Sequence, residues 1–405
     1  MEHNTPGILF VIGAVAPLNS TNANLMLKII APLADKMPVH ILSVADYRED
    51  QTDLEPPICC KAAVLYKYST RTGLLYTPAG IRRPASARRL VHKLTARLID
   101  RKGFQDAFDG RILTDLLEEL DGIHHFCAVC ASMEPYRCAY ALSRATLGGK
   151  KLLYVIDPPA DVVPGLTSGR TPFRTRSWRR ILAAADLLLT TPRITAALEA
   201  AGYACAGQHI VSREFPLFST LRYTQGDSAV SFDGDQIHLL YCGWLRSEAY
   251  LLSILPYLDE RFCITFLGNN NQQLPPVETR AAIRTYPAVS HSAAINAILD
   301  ADILVCIGNP YPVHIPSKIF DYVSSGKPIL NLHSLPDCPT LAFTAGYPLA
   351  LNIQDKTPPE DAAGEIIRFC TGNRGKTVPA PQFPGCTPEE IARTILDEIN
   401  GGFPS

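Results

Sequence analysis

The chain has 405 residues, 47% of them hydrophobic and 19% charged, with a formal net charge of −1. That length exceeds one ordinary core and points to two domains, and the near-neutral balance gives no global attraction to nucleic acid. Twelve cysteines behind a start, MEHNTPGILFVIG, that lacks a basic leader imply a reducing cytoplasm, and no run reaches the ~20 apolar residues of a membrane span.

In chain order, Ile8 to Ile12 reads as a buried strand and Gly13 turns the chain. Pro17-Leu18-Asn19-Ser20-Thr21 then leads into a helix from about Asn22, and Val39 to Val44 is a second strand. The first loop has no G-x-G-x-x-G spacing, so a nicotinamide or flavin site is not indicated. Ile123 to Ala131 is a strand whose C-x-x-C, Cys127 and Cys130, has no second pair and reads as core thiols. Glu134 lies in the loop at its carboxyl end, and a helix follows over Arg137 to Arg144. Lys151 to Ile156 is a strand ending in Asp157-Pro158-Pro159, and Ala184 to Thr190 is another. Glu134 and Asp157 suit either a catalytic base or simple loop capping. His124 and His125 begin a strand, the wrong end for chemistry.

Between these strands lies RRPASARRLVHKLTARLIDRK, Arg82–Lys102, with eight Lys/Arg and the single acid Asp100. A helix from about Ser86 would stack Arg89, Lys93, Arg97 and Arg101 beside Leu90, Leu94 and Leu98. Such a face suits an anionic membrane, or the leucines pack inward and the arginines are solvated. Arg170–Arg180 adds five arginines and Trp178, the amphipathic mixture favoured at interfaces.

A hinge is expected over Ser212 to Gly234, giving domains at 1–212 and 213–385. The α/β rhythm then restarts, with a strand His238 to Cys242, the loop Gly243-Trp244-Leu245-Arg246 and a helix near Tyr250 to Leu258. Ile264 to Leu267 ends in Gly268-Asn269-Asn270, and Val289-Ser290-His291 precedes a helix from about Ala293 to Leu299. The densest stretch is ADILVCIGNPYPVHIPSKIFDYVSSGKPILNL, from Ala301 to Leu332. Ile303 to Ile307 is a buried strand that Gly308 and Asn309 break. Pro316 to Ser325 is a helix with Ser317 capping an early N–H, Ile319, Phe320 and Val323 facing the sheet, and Gly326 stopping it. Ile329 to Leu332 is the next strand. The start of the Ser317 helix offers N–H groups and a positive dipole end to a phosphate, with Lys318 adding charge. Asp321 lies one turn deeper, a rise of ~5–6 Å, placed to accept from two sugar hydroxyls. Geometry alone leaves open a solvated aspartate and a surface lysine. Further on, Thr387-Pro388-Glu389-Glu390 is a capped helix start, and that helix runs to about Ile399.

IPSKIFDYVSSGKPI resembles the PSK-hydrophobic-F-[ED]-Y…GKP motif of GT-B glycosyltransferases, particularly the retaining group often called family 4. The resemblance implies two Rossmann-like, doubly wound parallel-sheet domains facing an interdomain cleft, with residues 386–405 forming a helix that crosses back to the first domain. It assigns the nucleotide ribose to Asp321 and makes Gly243, Gly268, His291, Asn309 and Ser317 donor-side candidates, His291 by contact with the base or else as a helix-entry cap. Arg246, whose planar fork suits phosphate oxygens, and Lys318 are the catalytic candidates. Relatives often carry a glutamate touching the donor sugar where Val313 stands, and a lysine beside Arg246 that this chain lacks. Gly13, Asn19, Ser20, Glu134 and Asp157 fall on the acceptor side. The implied activity transfers a sugar, with retention and without metal or cofactor, from a nucleotide-diphosphate donor to a glycan or lipid-linked acceptor. The implied setting is cell-surface polysaccharide or glycoconjugate synthesis in the cytoplasm, peripheral to the inner membrane face. A non-catalytic scaffold and a nucleotide-sugar epimerase are the alternatives.

Overall fold

In the computed structural model the chain divides into two units, Met1–Pro216 with Gly385–Ser405, and Leu217–Pro384. The structure describes residues 6–15, 21–56, 60–69, 71–82, 116, 120, 122–130, 138–139, 149–158, 162–163, 172–203, 209–213, 221–226, 230–243, 249–268, 274–381 and 387–401.

The first unit is built on a nine-stranded sheet among the described residues. Its strands are β1 (Gly7–Ile12), β2 (Val39–Ala45), β3 (Val64–Ser69), β4 (Leu74–Thr77), β5 (Gly80–Arg82), β6 (Ile123–Cys130), β7 (Lys151–Val155), β8 (Leu187–Thr190) and β9 (His209–Ser212). They lie in the order β5-β4-β3-β2-β1-β6-β7-β8-β9, parallel except for the antiparallel meander β3–β4–β5. Unbroken apolar runs such as GILFVI are buried along their whole length, as a parallel sheet covered on both faces requires. Helices α1 (Thr21–Ala34), α2 (Pro172–Ala183) and α3 (Pro192–Ala200) belong to this unit. The second unit carries β10 (Ile237–Cys242), β11 (Phe262–Leu267), β12 (Ala282–Tyr286), β13 (Ile303–Ile307), β14 (Ile329–His333) and β15 (Ala350–Gln354). All are parallel, in the order β12-β11-β10-β13-β14-β15. Helices α4 (Ala249–Ile254), α5 (His291–Asp300), α6 (Lys318–Ser325), α7 (Leu341–Thr344) and α8 (Pro359–Asn373) complete it.

One face of this second sheet presents Ile264, Phe266, Ile303, Val305, Leu330 and Leu332 to Leu251 and Ile254 of α4 and to Ala362 and Ile366 of α8. Side chains alternate along a strand, so the other face meets α5 and α6, which touch β10 and β13. Each large apolar side chain buried this way contributes roughly 1.5–3 kcal/mol. The result is a doubly wound sheet whose strand order reverses between β10 and β13.

The structure departs from the sequence reading at several points. The meander β3–β5, the edge strand β9 and the edge strand β12 were not anticipated. The strand expected from Ala184 starts at Leu187, because the amides of Ala184 and Ala185 still bond back to Arg180 and Leu182 at 3.1 Å each. The helix expected to Leu258 stops at Ile254 and tightens into a 3-10 turn, Leu255–Tyr257, where Pro256 removes a donor. Helix α5 starts at His291 with Ser290 as its cap, two residues before the expected start. Trp178 is only 4% exposed, so it cannot serve as an interface aromatic, although its neighbours Arg179 and Arg180 are exposed. The helix expected from about Ser86 in the basic stretch lies outside the described residues. Among the described residues, no helix is long and apolar enough to cross a membrane.

The last helix, α9 (Pro388–Ile399), lies in the first unit. Thr387 Oγ1 accepts from Glu390 N at 3.2 Å while Glu390 Oε2 accepts from Thr387 N at 3.1 Å, a complete capping box. Its buried face, Ile391, Ala392, Ile395 and Ile399, belongs to a helix packed on α1. Glu398 is buried at its far end, 3.1 Å from His209 Nδ1 and 3.8 Å from Lys150 Nζ. Replacing Thr387→Ala leaves the Glu390 amide without its acceptor and should cost about 1 kcal/mol, read as a lower urea midpoint at unchanged slope.

Candidate functional site

Open α/β sheets take ligands beyond the carboxyl ends of their strands, at the point where strand order reverses. In the second unit that point lies between β10 and β13, which run on into Gly243 and Gly308. The glycines that follow β10 and β11 come unusually close. Gly268 has φ +144°, and a Cβ built there would lie 2.1 Å from the Gly243 carbonyl oxygen, so no L side chain fits. Gly243 N donates to Leu267 O at 2.9 Å, and Gly268 N to Tyr286 O at 3.1 Å. Asn309 Nδ2 donates to His314 O at 3.2 Å, which staples the proline-rich loop before α6 and gives the Asn309 side chain a structural task.

Helix α6 starts at Lys318, two residues later than expected. Ser317 is already helical (φ −58°, ψ −24°), and its hydroxyl makes no capping bond, a correction to the expected cap. The amides of Ile319 and Phe320 are instead taken by Pro316 O at 3.0 Å and Ser317 O at 3.3 Å, so the expected anion site would have to use the amides ahead of Ile319. Asp321 is 7% exposed, which rules out the solvated-aspartate reading. Its Oδ2 lies 3.4 Å from Lys318 Nζ, and the Lys318 side chain is 27% exposed. A buried carboxylate therefore faces a half-buried ammonium one turn above it. Not only Ile319, Phe320 and Val323 but also Tyr322 is buried, and the Tyr322 hydroxyl accepts from Cys242 N at 2.9 Å. Phe320 meets Phe343 of α7 edge-on at 5.0 Å. Gly326 closes the helix at φ +72°, where a Cβ would lie 2.1 Å from Val378 O.

The other second-unit candidates divide. His291 is the first residue of α5 and is exposed, while Ser290, not His291, caps the helix by accepting from Ala293 N at 3.1 Å. Val313 is buried. Arg246 lies outside the described residues.

In the first unit the strand order turns beside β1. Gly13 O accepts from Ser43 Oγ at 2.8 Å. Val15 N donates to Ser43 Oγ at 3.0 Å and to the hydroxyl of Tyr47, a fully buried side chain, at 2.9 Å. This clamp on the first loop was missed in the sequence; its signal was the Ser43…Tyr47 spacing just beyond an apolar run. Asp157 follows β7, and its amide and that of Ile156 both bond to Cys130 O, at 3.0 and 3.1 Å. Burial pushes the Asp157 carboxyl up to about 6. Cys127 and Cys130 stand three residues apart on one strand and so point to opposite faces; both thiols are buried and driven up by desolvation. His125 Nδ1 accepts from Lys150 N at 2.9 Å, a structural role at the amino end of β6. Asn19, Ser20 and Glu134 lie outside the described residues.

No family model matches the sequence, and no curated protein matches it. Among solved structures, Anabaena HepE in complex with UDP and glucose is similar at 10% identity and TM-score 0.56, over 97% of this chain and 95% of that one. The E. coli trehalose-6-phosphate protein bound with UDP-2-fluoro glucose is similar at 9% identity and TM-score 0.59, over 98% and 100%. The UDP-GlcNAc 2-epimerase from Methanocaldococcus jannaschii is similar at 12% identity and TM-score 0.53, over 96% and 99%. The chain has the GT-B fold.

Asp157 gives a pH test. Its folded-state proton is held to about 6, against an unfolded value near 3.9. Between those values the folded chain binds more protons than the unfolded one, so this group's contribution to stability falls as pH rises through that window. Asp157→Asn should flatten that part of the curve, measured as urea midpoints from pH 4 to 7.

Proposed function

We propose that this chain is a glycosyltransferase that takes a sugar from a nucleotide-diphosphate donor. The observation that carries the reading is the buried Asp321 paired with Lys318 at the tip of α6, on the edge of the β10/β13 reversal in a GT-B fold. Asp321 would accept from the ribose hydroxyls. Lys318, freed from the carboxylate, would move to the diphosphate. As the sugar leaves, negative charge develops on the diphosphate, and Lys318, Arg246 and the amide end of α6 would stabilise it. These cations are our reason for reading the reaction as metal-independent. HepE and the E. coli protein, both solved with UDP or a UDP-sugar, support uridine as the nucleotide.

On this reading Gly243, Gly268, His291, Asn309 and Ser317 line the donor side. Gly13, Asn19, Ser20, Glu134 and Asp157 serve the acceptor, and Asp157, whose carboxyl burial pushes up to about 6, can take a proton near neutrality. The acceptor is a glycan or lipid-linked sugar in surface polysaccharide or glycoconjugate synthesis, and transfer retains anomeric configuration. The basic stretches Arg82–Lys102 and Arg170–Arg180 bring the enzyme to the anionic inner face of the membrane from the cytoplasm.

The test is a thermal-shift screen of nucleotide sugars followed by turnover with and without glycan and lipid-linked acceptors. A donor should raise Tm by mass action, and Asp321→Ala should weaken UDP binding at least tenfold. Acceptor-dependent product identifies a transferase. Conversion of donor without acceptor identifies an epimerase, and binding without product a scaffold. Absence of any nucleotide-dependent shift would remove the reading altogether.

A further inference from the structure

Tyr322 stands one residue after Asp321, its side chain fully buried, and its hydroxyl performs a task the proposed chemistry does not name. Along β10, the alternate amides of His238, Leu240 and Cys242 point toward β13. His238 N bonds Asp302 Oδ2 at 2.9 Å on that side. Gly243 N points the other way, to Leu267. Strands β10 and β11 stay paired to the end, through Cys242 and Leu267. Strands β10 and β13 pair only at Leu239 with Ile303 and Leu240 with Leu304, although β13 continues to Ile307. The two strands part at the reversal, and the Cys242 amide loses its strand partner in a buried setting, where an unmade bond costs about 1–3 kcal/mol. Tyr322 supplies the acceptor, at 2.9 Å.

That bond joins two pieces of the site. Cys242 ends β10 and is followed directly by Gly243, one of the donor-side candidates. Tyr322 is rigidly continuous with Asp321 on α6. We infer that Tyr322 is a positioning residue whose hydroxyl fixes the distance between Gly243, at the end of β10, and the Lys318–Asp321 pair, so that the β10 half and the α6 half of the donor site share one geometry. The inference rests on the donor-site reading above. Burial holds the phenol well above its ordinary range, so the hydroxyl stays neutral at any working pH. The 2.9 Å bond from Cys242 N sets the end of β10 beside the turn of α6 that carries Asp321.

The geometry makes a prediction that stability alone does not. A ligand spanning both halves depends on their spacing, and a ligand filling one half does not. UDP and uridine are titrated, by ligand-observed NMR competition, against the wild type, Tyr322→Phe and the core control Ile366→Val. The Phe variant should bind uridine within about twofold of wild type and UDP about tenfold more weakly, a loss of about 1.4 kcal/mol. The control should leave the UDP-to-uridine ratio unchanged even where it lowers Tm. Should Tyr322→Phe fail to fold, 3,5-difluorotyrosine at 322 keeps ring and hydroxyl while weakening the oxygen as acceptor. It should move the ratio in the same direction and speed hydrogen exchange at the Cys242 amide. An unchanged ratio in a folded variant, or equal losses for both ligands, overturns the positioning role and leaves the donor site standing. A wild type that binds neither ligand removes the donor site and the inference with it.

Discussion

A parallel sheet whose strand order reverses has to open where it reverses, and every buried amide exposed by the opening needs another acceptor. In the second unit this constraint acts between β10 and β13. The strands exchange two register pairs and then part, and what fills the gap is not another strand but a helix that brings a phenol. The position of α6 is thereby tied to the backbone of β10, and everything on that helix inherits the tie. Lys318 and Asp321 are held where they are because Tyr322, Phe320 and Ile319 have no freedom to turn.

Charge is managed on the same scale. A carboxylate as deeply placed as Asp321 would be costly alone, and Lys318 at 3.4 Å offsets part of that cost while remaining partly exposed. A pair of this kind is a modest source of stability. The first unit handles its opening differently. There the loop after β1 is gripped by Ser43 and Tyr47, neutral groups that satisfy the Gly13 carbonyl and the Val15 amide without importing any charge.

The sequence was most legible where structure is decided locally. The run from Ile303 to Ile307 is a strand at both expected ends. The T-P-E-E start and the Ile399 end of α9 were readable because a cap and its partner sit three residues apart. Gly326 signalled the end of α6 for the same reason. What stayed hidden depends on distant partners. Strands β4, β5 and β9 are three or four residues long and exist only because a neighbouring strand offers them a ladder. Tyr322 reads as one more apolar helix residue, since its partner Cys242 is eighty positions away. Trp178 beside arginines looked interfacial, yet helical geometry turned it inward. Of the site, the charged pair was visible through its spacing, whereas the failure of Ser317 to cap followed from a backbone angle no residue type announces.

One topological fact governs how this chain comes off the ribosome. The first unit is closed by α9, whose apolar face covers α1, and those two elements are separated by nearly the whole chain. The second unit is contiguous and can mature as soon as it emerges. The first must wait, with the α1 surface uncovered, until α9 has been synthesised and returns. Chaperone demand, and sensitivity to loss of α9, should therefore fall on the unit that contains α1.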